Sequence, residues 1–415
     1  MEYFVEPVRN FSSEITAPPS KYITHRAIFI ASLKGGSVLN YSKSLDCISS
    51  IKAIEKLGSK VKMKENLIEI ESIEEINEGT LIDAGNSGTT ARFSAALSLL
   101  GNEFNEITGD ESLRNRPMDD AESITNYVGG KLEYVGKKGY FPIKIKGPIR
   151  NFQFKVNNLK STQFISGLLI ASSRLQKGFN LLLERQPDSM GYIITTIQML
   201  KKIGINYCFN NDGIYYSGKS DLAFDGFNIP GDFSSAAFFL VAAIITNSTI
   251  KITNLNLELF QPDSKIIDIL KNLCVNLEVY NDSIEVRPSK PCGEVIDLRS
   301  TPDLFPIMAV LAASMDKNVK LIGSESLAYK ESNRLLTTLE LLRNLGVKAE
   351  LNGNSLIVSG GFIRGGHVNS HGDHRIAMAA AIAGLGSIEG VSIENFDSYK
   401  ISYPEFLDHL KVIVR

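Results

Sequence analysis

Residues 371–385 read HGDHRIAMAAAIAGL, a polar, charged opening followed by ten residues drawn only from Ala, Ile, Met, Leu and Gly. Ala is the best helix former. A helix that is apolar on every side has no solvent face, so the stretch predicts a helix buried all round. The same grammar recurs five times: SKYITHRAIFIASL (20–33), GNSGTTARFSAALSLL (85–100), STQFISGLLIASS (161–173), GDFSSAAFFLVAAII (231–245) and STPDLFPIMAVLAAS (300–314). The starts lie roughly 65–75 residues apart, and six such steps fill the 415 residues. The small Ala, Gly and Ser side chains let neighbouring helices approach closely.

A short strand-like run follows each of these helices, as in STIKITNL from Ser248 and VKLIGS from Val319. A second, amphipathic helix comes next. In KESNRLLTTLELLRNLG, Leu335, Leu339, Leu342 and Leu345 share one face, and Gly346 is a stop signal. SLDCISSIKAIEKLG and GYIITTIQMLKKIG repeat the plan. A hairpin closes the unit, as in ELNGNSLIVSGG, where Asn and Gly supply the turn. The unit reads as helix, strand, helix, two strands. A chain this long exceeds one ordinary core. Six units in two domains give three each, with FDGFNIPGD (224–232) as the hinge. Residues 1–17 can pair as a strand with either half.

Apolar residues make up 43% and charged residues 22%, with a formal net charge of −2. A duplex nucleic-acid binder would be basic, so no nucleic-acid partner is expected. No apolar run reaches the roughly 18 residues of a membrane span, and the N-terminus is not patterned as a secretory signal. Cys47, Cys208, Cys274 and Cys292 form no CxxC pair, so free thiols and a reduced, cytoplasmic setting are expected.

The first turn of a helix carries free N–H groups and a positive partial charge, so cations are locally unfavourable there. Yet Arg26, Arg92 and Arg375 fall in the first two turns of their predicted helices, and Lys21 lies just ahead of Arg26. Arg116 precedes another helix. Lys330 and Arg334, at i,i+4 spacing, are expected to open the amphipathic helix of the fifth unit, where like charges repel. A single Arg in such a place can be structural. A rule broken repeatedly at matched positions points instead to anionic ligands, which helix N-termini and Arg forks both favour. Asp303 and Glu331 sit among these cations, either as helix caps or as acid and base. Ser161, Thr162 and Ser189 can be plain caps. His371 and His374 have HxxH spacing without a further ligand nearby, so no metal is expected. GNSGTT lacks the Walker pattern.

These residues resemble a known family. PPSKYITHRA (18–27), GNSGTTAR (85–92), GDESLRNRPMDD (109–120), STQFISG (161–167), PGDFSSAAFF (230–239), TPDLFP (301–306), YKESNRL (329–335), HGDHRIAMA (371–379) and SYPEF (402–406) stand in the order of the EPSP synthase (3-phosphoshikimate 1-carboxyvinyltransferase) family. The resemblance covers nearly the whole chain. It implies an α/β fold made of two inside-out α/β barrels, each of three βαβαββ units. The implied domains are 18–229, and 1–17 with 230–415, with the active site in the cleft between them. The implied reaction moves the enolpyruvyl group of phosphoenolpyruvate to the 5-hydroxyl of shikimate 3-phosphate, in aromatic amino-acid biosynthesis. No cofactor is implied, and a monomer is expected.

Carried over by resemblance, Lys21, Arg92, Arg116, Arg334 and Arg375, with Gly88 and Thr89, bind phosphoenolpyruvate, where glyphosate competes. Tyr22, Arg26, Ser161, Thr162, Gln163, Ser189, Tyr192, Asp303, Ser326 and Lys330 hold shikimate 3-phosphate. Asp303, Glu331 and Lys21 are the catalytic candidates. Three departures stand out, two of them on the acceptor side: Tyr22 replaces the family's usual Ser, Ser326 its Asn, and Ile401 its Lys, with Lys400 one position earlier. The resemblance therefore leaves two alternatives: a paralogue with another acceptor, or a non-catalytic binder of anionic metabolites. The related enzyme acting on UDP-N-acetylglucosamine usually carries Cys or Asp in the loop before its RP dipeptide; GDESLRNRPM has no Cys there, although Asp110 lies a few residues earlier.

Overall fold

The six small-residue stretches fold as helices Lys21–Lys34, Gly88–Ser98, Gln163–Ser172, Phe233–Ile245, Phe305–Ala313 and His374–Gly386, each buried along nearly its whole length. The computed structural model describes residues 1–156, 159–175, 179–210, 213–216 and 222–414. The chain forms two compact units, one of Pro19–Ile229 and one of Met1–Pro18 with Pro230–Arg415. In each unit three of the buried helices pack on one another. Small residues make this possible: a Cβ on Gly167 would lie 2.8 Å from the Ala96 Cβ and 3.1 Å from the Phe93 Cα of the adjoining helix.

The fold is mixed α/β. The described strands form five four-stranded sheets and one of three strands. Each sheet contains one parallel pair continued by antiparallel pairing. Leu81–Asp83, for example, runs parallel to Asn105–Thr108, with the buried helix Gly88–Ser98 as the crossover. Asn105–Thr108 then pairs antiparallel with Ile143–Lys146, and that strand with Lys131–Tyr134. A parallel pair needs such a crossover, whereas antiparallel neighbours can be joined by a tight turn. The hairpin Lys348–Asn352 to Ser355–Ser359 turns through Gly353 and Asn354, with Gly353 at φ +59°. That left-handed conformation suits glycine.

The amphipathic helix of the fifth unit spans Arg334–Asn344. Leu342 and Leu345 are fully buried and Leu339 nearly so, while Leu335 packs at the edge of the core. Each such burial is worth about 1.5–3 kcal/mol against exposure. Its start differs from expectation. Lys330 precedes the helix in extended backbone, and the Asn333 side chain accepts the Leu336 N–H as the cap. Lys330 and Arg334 therefore do not stack along one helix.

Tyr3–Val5 pairs antiparallel with Val391–Ile393, and Ser12–Thr16 runs parallel to Thr249–Thr253. The expectation of four free thiols does not hold. Cys274 and Cys292 form a disulfide with Cα atoms 5.7 Å apart, within ordinary reach. Cys47 is buried and free, and Cys208 is exposed and free. Among the described residues no helix is long and apolar enough to cross a membrane.

Candidate active site

In the unit of residues 19–229, Lys21 opens its helix and donates to Asp46 Oδ2 at 2.8 Å, both side chains largely buried. One turn on, Arg26 is 2% exposed. It donates from Nε to Thr196 Oγ1 at 2.7 Å, and from its Nη atoms to the carbonyls of Tyr22 (2.8 Å) and Tyr192 (3.0 Å). Burial lowers its pKa to about 10, since the charged form is the one that loses solvation. No carboxylate lies within ion-pair distance of it among the described residues. The Tyr22 and Tyr192 rings meet edge to face at 5.6 Å, and the Arg26 guanidinium lies 5.9 Å from the Tyr22 ring.

Arg92 and Arg116 converge on the start of the helix Gly88–Ser98. A Cβ on Gly88 would stand 2.9 Å from Arg92 Nη1, 3.2 Å from Arg116 Nη1 and 3.4 Å from Gln163 Oε1. Arg92 donates to Gln163 Oε1 at 3.0 Å and to the Pro117 carbonyl at 2.7 Å. Gln163 donates in turn to Thr89 Oγ1 at 2.9 Å. Arg116, 5% exposed, donates to Asn86 Oδ1 at 2.9 Å and Ser112 Oγ at 3.1 Å. Thr162 is the N-cap of its helix but makes no capping bond; its hydroxyl pairs with Ser189 Oγ at 3.2 Å. The Ser161 hydroxyl accepts from the Gln163 N–H at 3.3 Å, and its own N–H donates to Asp120 Oδ2 at 3.1 Å.

The other unit gathers the remaining candidates around Arg334, which is 1% exposed. It donates from Nη1 to Asp303 Oδ1 at 2.6 Å, from Nη2 to Glu331 Oε2 at 2.5 Å and from Nε to Asp373 Oδ2 at 2.9 Å. Burial alone would favour its neutral form. Asp373, Glu331 and Asp303 outweigh that and hold its pKa above the usual value. Lys330 Nζ donates to Asp303 Oδ1 at 3.2 Å and Arg375 Nη2 to Asp303 Oδ2 at 3.4 Å, so three cations bond to one carboxylate. The feature expected as like-charge repulsion is thus a shared counter-ion. Ser326 bonds Ser324 Oγ at 2.7 Å on the turn just before Lys330. Lys400 lies 5.9 Å from the Tyr399 ring, on the 3-10 helix Phe396–Ile401.

Several partners escaped the sequence reading, among them Asp46, Asn86, Ser112, Asp120, Thr196 and Asp373. Asp373 alone carried a legible signal. It caps the helix His374–Gly386 by accepting the Arg375 N–H at 2.9 Å, the ordinary use of Asp before a helix. His371 is exposed against Glu340 at 3.1 Å, whereas His374 is buried at its helix start. No group of three His, Cys, Asp or Glu side chains among the described residues is arranged to hold a metal.

Donor-rich clusters of this kind, one in each unit, can orient small anions, and the carboxylates beside them can move protons. Comparison with known proteins agrees in family. The model of the EPSP synthase (3-phosphoshikimate 1-carboxyvinyltransferase) family matches residues 5–410. A protein of Aeropyrum pernix described as 3-phosphoshikimate 1-carboxyvinyltransferase is 36% identical over 399 residues, covering 95% of this chain and 92% of its own length. A protein of Methanococcoides burtonii with the same description is 34% identical over 409 residues, covering 96% and 95%. In fold, the chain is similar to the EPSP synthase of Acinetobacter baumannii, with a TM-score of 0.80, 23% identity and coverage of 99% and 98%. On the family match and the full-length relatives, the chain belongs to the EPSP synthase family.

Proposed function

We propose that this chain is a 3-phosphoshikimate 1-carboxyvinyltransferase, moving the carboxyvinyl group of phosphoenolpyruvate to the 5-hydroxyl of shikimate 3-phosphate and releasing phosphate. The observation that carries the reading is Asp303 held by Lys330, Arg334 and Arg375, in a chain matched to the family over its full length. Three cations suit anionic substrates. A carboxylate among them would weaken pure anion binding, so its presence favours proton chemistry over a storage or binding role.

In this reaction Asp303 accepts or orients the proton of the 5-hydroxyl. The oxygen attacks C2 of phosphoenolpyruvate while C3 takes a proton from Glu331 or Lys21. The tetrahedral adduct, now with a methyl group at C3, then loses phosphate from C2 and returns a C3 proton to the group that supplied it, which re-forms the C2–C3 double bond, while the cations stabilise the charge that develops. Substrate phosphate and carboxylate compete with Asp303 for Lys330, Arg334 and Arg375, so binding itself frees the base. Lys21, Gly88, Thr89, Arg92, Arg116, Arg334 and Arg375 contact phosphoenolpyruvate. Tyr22, Arg26, Ser161, Thr162, Gln163, Ser189, Tyr192, Ser326 and Lys330 contact the acceptor. The finer architecture proposed is two inside-out barrels of three βαβαββ units, 18–229 and 1–17 with 230–415, acting on one pair of substrates. The protein works as a monomer.

One observation favours a second reading, a different cyclic acceptor: the Tyr22 ring packs on Tyr192 and against Arg26, where the family usually has a serine hydroxyl. Phosphate release with phosphoenolpyruvate and shikimate 3-phosphate tests both. Turnover supports the first reading. Turnover with another acceptor alone supports the second, and tight binding without turnover defeats both.

A further inference from the structure

Asp263 is fully buried on the 3-10 helix Pro262–Lys265. Its carboxyl accepts from Ser234 Oγ, in the first turn of the buried helix Phe233–Ile245. The other oxygen, Oδ1, is buried without a hydrogen-bond partner. No cation lies within ion-pair distance of either oxygen among the described residues. The segment is fixed in place, because Gln261 donates to the Gly231 carbonyl at 2.9 Å and accepts the Phe233 N–H at 3.4 Å.

The charged groups acting on Asp263 come from each element around it: Asp303 from Pro302–Leu304, Arg375 from His374–Gly386, and Asp232 from the cap of Phe233–Ile245. Lys265, on its own helix, turns to Ser300 Oγ at 2.8 Å. Lys330 and Arg334 stand one contact away, on Asp303. Burial, then the Asp303 charge, pushes the Asp263 carboxyl up to about 7, against a smaller opposing pull from Ser234 and Arg375. Arg375 has its own loose end: Nε and Nη1 are buried without hydrogen-bond partners, and Nη2 alone reaches Asp303.

We infer that Asp263 is a positioning residue that sets how much of the Arg375 charge is offered to substrate. Protonated, it is a neutral neighbour and Arg375 keeps its full pull on an anion. Ionised, it cancels part of that pull and opposes the charge of Asp303. The proton leaves to solvent, and no bond to substrate is made or broken. The inference rests on the proposed roles of Arg375 and Asp303.

The test is KM for phosphoenolpyruvate, read separately from kcat, between pH 6 and 8 in the wild type, Asp263→Asn and Ser234→Ala. In the wild type KM should rise by about three- to tenfold across the window, the scale set by an interaction of up to one pKa unit. Asp263→Asn should flatten that rise. Ser234→Ala should move it to higher pH, because the lost hydrogen bond favoured the ionised form. The phosphate of phosphoenolpyruvate also titrates, but equally for all three proteins. Three parallel curves overturn the inference, and Ser234→Ala carries the test alone if Asp263→Asn does not fold. An infrared carboxylic-acid band that is lost as pH passes about 7 and is absent from Asp263→Asn reports the buried proton without any turnover. A wild type lacking that band overturns the inference; a wild type with the band but without phosphate release overturns the proposed function instead.

Discussion

Arg334 Nη1 meets Asp303 Oδ1 at 2.6 Å, joining a guanidinium of 1% exposure to a carboxylate of 20% exposure. The pair runs from the interior towards solvent. Its inner end is tied to Asp373, which is fully buried, and its outer end is shared with Lys330 and Arg375. A structural role and the proposed chemical role thus meet in one side chain.

Arg334→Ala strands Asp373 as a buried carboxylate without its cation. Removing one partner of a buried ion pair typically costs about 3–5 kcal/mol. Urea unfolding should show a loss of that size, alongside lost turnover. Arg334→Lys should recover little, because a single ammonium cannot replace a fork that bonds three carboxylates. A stability change below about 1 kcal/mol in Arg334→Ala would contradict the hub role.

Asp303→Ala should lower kcat by about 10²–10⁴, the usual worth of a positioned acid or base, with a smaller change in KM. Arg116→Ala and Arg375→Ala should do the reverse and raise KM for phosphoenolpyruvate. Steady-state kinetics on the three variants separate the roles, and unchanged constants in all of them would remove the site assignment.

Gly88→Ala places a methyl group 2.9 Å from Arg92 Nη1 and 3.2 Å from Arg116 Nη1. Both atoms are the far ends of flexible side chains, so the helix can keep its fold while the two guanidinium tips give way. The expected result is a several-fold rise in KM for phosphoenolpyruvate, weaker competition by glyphosate, and a melting temperature within a few degrees of the wild type. A variant that unfolds instead would show that the contact is structural.

The buried helices were legible because Ala-rich, all-round apolar stretches have few other fates. The amphipathic helix was legible in its face but not in its first residue, since Asn333 and Lys330 are equally polar and only the Asn333 cap decides between them. Side-chain partners were the least legible. Lys21 finds Asp46 25 residues away and Arg375 finds Asp303 72 residues away, distances at which no local period speaks. The Cys274–Cys292 bond likewise follows from how two short segments are placed, and its spacing matches no motif. The strand Ser12–Thr16 could be anticipated as a strand, but alternation names a face and never a partner.

His25 gives a pH prediction. It is 1% exposed and bonds Ser50 Oγ through Nδ1 at 2.7 Å. Burial, then Lys21 and Arg26, lowers its pKa well below 6.5. The unfolded chain therefore takes up this proton more readily than the folded one. The stabilisation is complete above about pH 6.5 and is lost as pH falls from there towards the folded value, at up to about 1.4 kcal/mol per pH unit. Thermal melts from pH 7 to 5 should fall more steeply for the wild type than for His25→Asn. His409 shifts in the same direction through burial, so the difference between the two curves, not either curve alone, is the readout. Parallel curves would remove His25 as the cause.

The pairing of Tyr3–Val5 with Val391–Ile393 and of Ser12–Thr16 with Thr249–Thr253 has a consequence for biosynthesis. At about 5–20 residues per second, the opening segment waits roughly 12–50 s for its first partner and roughly 20–80 s for its second. Residues 19–229 are complete about 1–4 s before the first partner strand and about 8–32 s before the second, and can settle while the ribosome is still at work. Residues 3–16 are thus made long before their partners and stitched in late, and a chaperone guarding that bare edge would find its longest opportunity there.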